Sequence, residues 1–187
     1  TSVKVTPDYD TRPEKPLATT FPVKVGENIV ATLEGDTLTL TGSGATYDYD
    51  ASWDDMDDSY VGNQWLDEET IVKIKKIVLG NGITQIGNFA FAGCTNLQEI
   101  VFPQKSLKKI KENIFYGCSS LKEFIVPEGV ESLGDSSLYG CSSIEKISFP
   151  STLKEIPCFS NGFEGLPKLK SVVLAEGIEK IADGAFC

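Results

Sequence analysis

The stretch IGNFAFAGCTNLQEIVFP (Ile86–Pro103) returns 24 residues later as IKENIFYGCSSLKEFIVP (Ile110–Pro127). A third copy, LGDSSLYGCSSIEKISFP (Leu133–Pro150), follows at a spacing of 23, and GFEGLPKLKSVVLA (Gly162–Ala175) at 25. IKKIVLG (Ile74–Gly80) is the back half of an earlier copy, and IADGAF (Ile181–Phe186) is the front half of a later one. No other feature constrains the fold as strongly. A unit this short cannot bury its own apolar face, so the copies must stack as a solenoid.

The inward positions are legible within each copy. Leu97, Ile100 and Phe102 recur as Leu121, Phe124 and Val126, as Ile144, Ile147 and Phe149, and as Leu169, Val172 and Leu174. The last two of each trio are two residues apart, as a strand requires to point both at one side. Gly80, Pro103, Pro127 and Pro150 then stop the strand. A second apolar pair follows: Ile83/Ile86, Leu107/Ile110, Val130/Leu133, Leu153/Ile156 and Ile178/Ile181. The AF..GC segment returns the chain on the far side, with Phe91, Phe115, Leu138 and Phe163 as inward wedges. Coils stacked in this way form a parallel sheet, and five strands extend it to roughly 19 Å at about 4.8 Å per rung.

The order I…AF.GC..L..I.FP resembles the BspA-like class of leucine-rich repeats over residues 74–187. ATLEGDTLTLTGSGATYDYD (Ala31–Asp50) with Trp65 also resembles the segment that precedes those repeats. The chain departs from the pattern at Leu138 for Phe, at Leu166 for Cys, and in PCFSN (Pro157–Asn161), which adds about two residues to one turn. The fold expected is an α/β-type leucine-rich repeat solenoid, a parallel β-sheet of stacked short coils capped by an N-terminal β-hairpin. The resemblance implies a secreted or surface-exposed bacterial protein, an adhesin or interaction module.

Charge divides the chain at the point where the repeats begin. Residues 1–70 hold 15 acidic side chains against 4 basic ones, and residues 71–187 hold 12 against 13. Residues 1–25, with Pro7, Pro13, Pro16 and Pro22, read as an extended segment. Residues 26–70 read as a hairpin cap and an acidic loop, because Asn28–Gly44 alternates apolar and polar residues around Gly35-Asp36. A cap is needed, since an open sheet edge recruits other chains. LDEET (Leu66–Thr70) can open a short helix, its acids favourable at a helix N-terminus. Residues 71–187 read as about five coils, the last incomplete. Because Cys187 falls in mid-repeat, the last coil is either followed by others or bare and open to self-association.

The net charge of −10 argues against nucleic acid as a partner. No apolar run reaches the length of a membrane span. The chain has no His, which removes imidazole ligands, His bases and Cys-His nucleophile pairs, and an enzyme ranks behind a binding module or a structural spacer. Cys94, Cys118 and Cys141 repeat at one position and read as a buried ladder of free thiols, while Cys158 and Cys187 read as exposed. No cofactor is expected. Asp48, Asp50, Asp54 and Asp55 lie in an acidic loop whose first reading is solvation. A calcium site there would not be an EF-hand, for Trp53 stands in place of the Gly and Ser59 in place of the Glu. TGSGAT (Thr41–Thr46) lacks the Lys-Ser/Thr pair of a phosphate loop and reads as a turn. The lysines of KSLKKIKEN (Lys105–Asn113) read as a solvated face.

One residue of each strand must point outward between the inward pair: Val78, Val101, Ile125, Ser148 and Val173. Lys76, Glu99, Glu123 and Lys146 form a charged row beside them. Such a stripe satisfies strand propensity alone, and it also suits a protein or glycan on a host or neighbouring cell surface.

Overall fold

The computed structural model describes residues 19–49, 52–54, 59–61, 65–157, 166–183 and 185, with the main chain alone described at 52–54 and 59–61. The hairpin forms around Gly35-Asp36, where Leu33 pairs with Leu38 and Glu34 with Thr37. Its strands β1 (Val23–Glu34) and β2 (Thr37–Thr46) bury Val25, Ile29, Ala31, Leu38 and Leu40, so the alternation read in the sequence sets the buried side. The strand β1 begins at Val23, inside the segment expected to be extended. Two short strands, β3 (Ser52–Asp54) and β4 (Ser59–Val61), pair antiparallel. The helix expected at LDEET is α1 (Glu68–Ile71), with Asp67 as its N-cap.

Each coil then supplies two strands. The first coil gives β5 (Lys76–Leu79) and β6 (Gly82–Ile86), and the second gives β7 (Glu99–Val101) and β8 (Lys109–Ile110). The third gives β9 (Glu123–Ile125) and β10 (Ser132–Leu133), and the fourth β11 (Lys146–Phe149) and β12 (Glu155–Ile156). The fifth gives β13 (Ser171–Leu174) and β14 (Lys180–Ile181). The ladders between coils are parallel, and equivalent residues face one another: Ile77 with Ile100, Phe124 with Ile147, Ile147 with Val172.

The hairpin acts as the rung before the first coil. Residues 37–40 of β2 pair with β5 and residues 43–45 pair with β6, so one strand serves both faces of the solenoid. The bend falls at Gly42, φ +118°, where a Cβ would lie 1.9 Å from the Asn28 carbonyl oxygen. Only glycine fits there. On the third side, amides reach to the next coil: Phe91 N–H to the Ile114 carbonyl at 3.0 Å and Phe115 N–H to Ser137 at 3.2 Å.

One apolar spine runs from Val25 to Ala185. Leu97, Leu121 and Ile144 are fully buried in it, as are Phe91 and Phe115, and burying each such side chain contributes on the order of 1.5–3 kcal/mol. Phe163 lies outside the described residues. The fifth coil differs, because Leu174 and Ile181 occupy inward positions yet are 45% and 44% exposed.

The expected five-strand sheet is interrupted. On the face of the first strands, β5 pairs with β7, and β9, β11 and β13 form a separate sheet. On the face of the second strands, β6, β8 and β10 are continuous, and β12 pairs with β14 alone. The second break has a covalent cause. Lys111 and Gly134 donate their amides to Ile86 and Ile110 of the coil before, at 3.0 and 2.8 Å, and the equivalent residue in the fourth coil is Pro157, which has no N–H.

The first break coincides with an extra residue. Turns after Gly80, Pro127 and Pro150 close through the amides of Ile83, Val130 and Leu153 at 3.1–3.3 Å. Between Pro103 and Leu107 the second coil carries Gln104, Lys105 and Ser106, where the third has only Glu128 and Gly129. No such closing bond forms from Pro103 among the described residues, and the buried Ser106 hydroxyl has no partner among them.

Candidate functional site

Strand alternation places the predicted outward residues in two aligned groups. Val78 faces Val101 across β5–β7 and continues onto Thr39 of the hairpin, while Ile125, Ser148 and Val173 face one another across β9–β11–β13. Val101, Ile125 and Val173 are 38%, 41% and 44% exposed, and Val78 and Ser148 are half-buried. The stripe is therefore real as geometry but divided between Val101 and Ile125.

The charged rows beside it are knitted partly from coil to coil. Lys76 bonds Glu99 at 2.9 Å and Lys170 bonds Glu145 at 2.9 Å, while Lys75 lies 3.4 Å from Asp36. These pairs are solvent-exposed, and exposed pairs of this kind contribute about 0–1 kcal/mol. Their effect is to fix the charge pattern of the rim. Glu123 and Lys146 are register neighbours, and no ion pair joins them among the described residues.

Between β7 and β9 lies a cleft of about 320 Å³ lined by Gln98, Glu99, Ile100, Phe102, Lys122, Glu123 and Ile125. Ile100 and Phe102, inward by pattern, are only half-buried because the neighbouring strand does not cover them. Phe102 meets Phe124 edge-on, ring centroids 6.2 Å apart. Nothing in the repeat pattern places a cleft here. The available signal was the 24-residue spacing of this copy against 23 for the next. A second groove of about 500 Å³ opens at the other break, with Leu133, Asp135, Lys154 and Pro157 in its walls.

The acidic loop is only partly described, since Asp50 and Asp55 lie outside the described residues and Asp54 is known by its main chain in β3. Asp48 is engaged. Its carboxylate accepts from the Lys111 ammonium and from the Asn88 amide. Burial opposes its charge, but these donors hold its carboxyl below the usual range. The described residues contain no group of acidic or sulfur side chains able to hold a metal ion.

In the lysine run Lys105, Lys108 and Lys109 are exposed, and two of its lysines meet acids of neighbouring segments. Lys108 bonds Glu131 at 2.9 Å and Lys111 bonds Asp48, with Leu107 and Ile110 buried between them. Asp67 serves α1: it accepts from the Thr70 amide at 2.9 Å, the Thr70 hydroxyl at 2.6 Å and the Thr19 amide at 2.6 Å.

Cys94, Cys118 and Cys141 are free and buried, as their shared position in the repeat predicts. The structure adds a reason for sulfur at that place. The Cys118 thiol donates to the Phe91 carbonyl at 3.3 Å and the Cys141 thiol to the Phe115 carbonyl at 3.2 Å, each bond linking one coil to the one before. Burial pushes the Cys94 and Cys141 thiols up to about 12 and Cys118 well above its ordinary value. At neutral pH they stay protonated. Cys158 and Cys187 lie outside the described residues.

Residues 69–187 match the BspA type leucine rich repeat region in six copies. The chain belongs to that family. BspA-type repeats are protein-interaction scaffolds. No curated protein matches this BspA-type chain.

Among solved structures the chain is similar to the pneumococcal vaccine antigen PcpA, with 22% identity and a TM-score of 0.49 over 80% of this chain and 31% of that one. It is similar also to a leucine rich cell surface protein of Faecalibacterium prausnitzii A2-165, with 19% identity and a TM-score of 0.48 over 83% and 43%. A T. pallidum leucine rich repeat protein shows 20% identity and a TM-score of 0.44 over 83% and 86%. This BspA-type chain thus spans about a third of the length of the pneumococcal protein. Among the described residues, no helix is long and apolar enough to cross a membrane.

Proposed function

We propose that this chain is an extracellular binding module, displayed at a bacterial surface, which meets a protein or glycan on a host or neighbouring cell through the outward face of β5, β7, β9, β11 and β13. The observation that carries the reading is the exposure of Val101, Ile125 and Val173 on one face, rimmed by Lys76, Glu99, Glu123 and Lys146. Apolar area rimmed by charge is the usual make-up of an interaction surface. Membership of a family of interaction repeats supports the same reading.

The test is capture of extracellular-matrix and host-surface proteins by the chain and by its Ile125→Asp and Val173→Asp variants. Both variants stay folded and lose capture if this face is the contact. Retention of capture by both moves the contact elsewhere.

A further inference from the structure

The sheet is open between Val101 and Ile125 of the proposed binding face. On this face, ladder bonds run from Glu99 N–H to the Lys75 carbonyl at 3.2 Å, from Lys146 to Lys122 at 3.4 Å, and from Ser171 to Glu145 at 3.2 Å. The equivalent bond, from Glu123 N–H to the second coil, is absent among the described residues. The other faces of the same two coils stay joined, by Lys108–Glu131 and Ile110–Gly134 main-chain bonds at 2.9 and 2.8 Å and by the Phe91–Ile114 bond. The opening is therefore a one-sided wedge in a closed solenoid. It is not a break in the chain's stacking.

Three features converge on this wedge. The β9 edge facing β7 offers main-chain donors and acceptors without ladder partners, as the edge of any sheet does. Ile100 and Phe102 form a half-buried apolar floor, and Ile125 flanks the mouth. At the rim Glu99 is neutralised by Lys76, whereas Glu123 has no ion pair among the described residues. Unpaired main chain and an apolar floor, with the Glu123 carboxylate and the Lys122 ammonium at the rim both outside any ion pair among the described residues, describe a receptor for an extended polypeptide. A sugar satisfies the carboxylate and floor but has no alternating amide row to complete a ladder.

We infer that the seam between β7 and β9 binds an extended segment of a partner protein, which adds as a strand to the β9 edge. One set of its alternating side chains would rest on Ile100 and Phe102, and a basic residue of the other set would face Glu123. About three residues pair, since β9 is three residues long, which is roughly 10 Å of extended chain. This deepens the reading of the outward face as a contact surface and rests on it: the partner is a protein, and its recognised part is a strand.

The probe is the blocked peptide acetyl-Thr-Val-Lys-Val-Thr-amide, titrated into the nitrogen-15-labelled full chain, beside the same peptide N-methylated at its Val-Lys-Val residues. The expected result is saturable movement of the Glu123 and Ile125 amide signals, with the methylated peptide at least tenfold weaker. Equal affinity of the two peptides, no saturable movement, or movement centred away from the seam overturns the inference. A Glu123→Pro variant removes a donor that holds no ladder bond in the free protein. It abolishes the response while keeping the native spectrum elsewhere, and a folded variant that binds as tightly as the parent also overturns the inference. If it fails to fold, the methylated peptide decides. The reading of the face is judged separately by the Val173→Asp variant. Val173 lies outside the seam, so loss of its capture alongside failed peptide arms sinks the strand and leaves the face standing.

Discussion

Phe91 and Phe115, 24 residues apart in the chain, stack with ring centroids 5.9 Å apart and planes 19° from parallel. Phe115 also meets Phe124 edge-on at 5.7 Å. It is fully buried and touches rings on both sides, so the space it leaves cannot collapse without moving two coils. Phe115→Ala is expected to cost about 3–5 kcal/mol, read as a lowered midpoint in denaturant. A midpoint shift under about 1 kcal/mol would show that the stack is not a stabilising core.

The two interrupted ladders make a prediction for amide exchange. Val126 N–H bonds the Ser148 carbonyl at 3.0 Å and Glu145 N–H bonds Lys122 at 2.8 Å, so both are expected to be protected. Glu123, one strand register away on the open side, is expected to exchange at least tenfold faster than either. Gly134, bonded to Ile110, is protected in the same way. Equal protection of Glu123 and Val126 would close the seam.

The thiol ladder makes a chemical prediction. Cys94 and Cys141, raised to about 12 by burial, and Cys118, raised well above its ordinary value by the same cause, are neither ionised nor accessible at neutral pH. Alkylation of the native chain at pH 7.5 followed by peptide mapping should leave all three unmodified, and denaturant should expose them together. Rapid native labelling of Cys118 would contradict the stacking, because that thiol sits between the other two.

Asp67 links stability to acid. Burial raises its carboxyl, but bonds from Thr19 and Thr70 more than offset this, so its folded value lies well below the unfolded one near 3.9. A carboxylate depressed on folding stabilises above its unfolded value, and that contribution is lost as pH falls below it. Asp67→Asn is expected to flatten the acid limb of the stability profile below about pH 5. At pH 7 the related Asp67→Ala change removes the cap at a cost of about 0.5–2 kcal/mol. Acid profiles that coincide for parent and Asp67→Asn would remove Asp67 from the acid response.

What was legible in the sequence was whatever repeats. Leu97, Leu121 and Ile144 announce their inward direction because three copies agree, and Cys94, Cys118 and Cys141 announce their burial in the same way. The outward stripe follows from the same register. The seams were not legible, because each goes with a single departure from the repeat whose consequence is a missing contact between two coils. Pro157 is visible as a Pro, but its cost is a missing bond to the third coil. The extra residue among Gln104, Lys105 and Ser106 reads as harmless loop length, and it coincides with a seam that leaves Ile100 and Phe102 of its own coil half-buried. Leu174 and Ile181 show the reverse case: their pattern is that of core, yet both are exposed.

The central claim is that residues about two dozen apart occupy one place in successive coils. Through-space proton contacts between aromatic rings test it most directly, with Phe91–Phe115 and Tyr116–Tyr139, the latter stacked at 4.7 Å and 17°, as the pairs to read. The account predicts strong cross-peaks within both pairs and between Phe115 and Phe124. Absence of the Phe91–Phe115 and Tyr116–Tyr139 cross-peaks in a well-dispersed, fully assigned spectrum would contradict it.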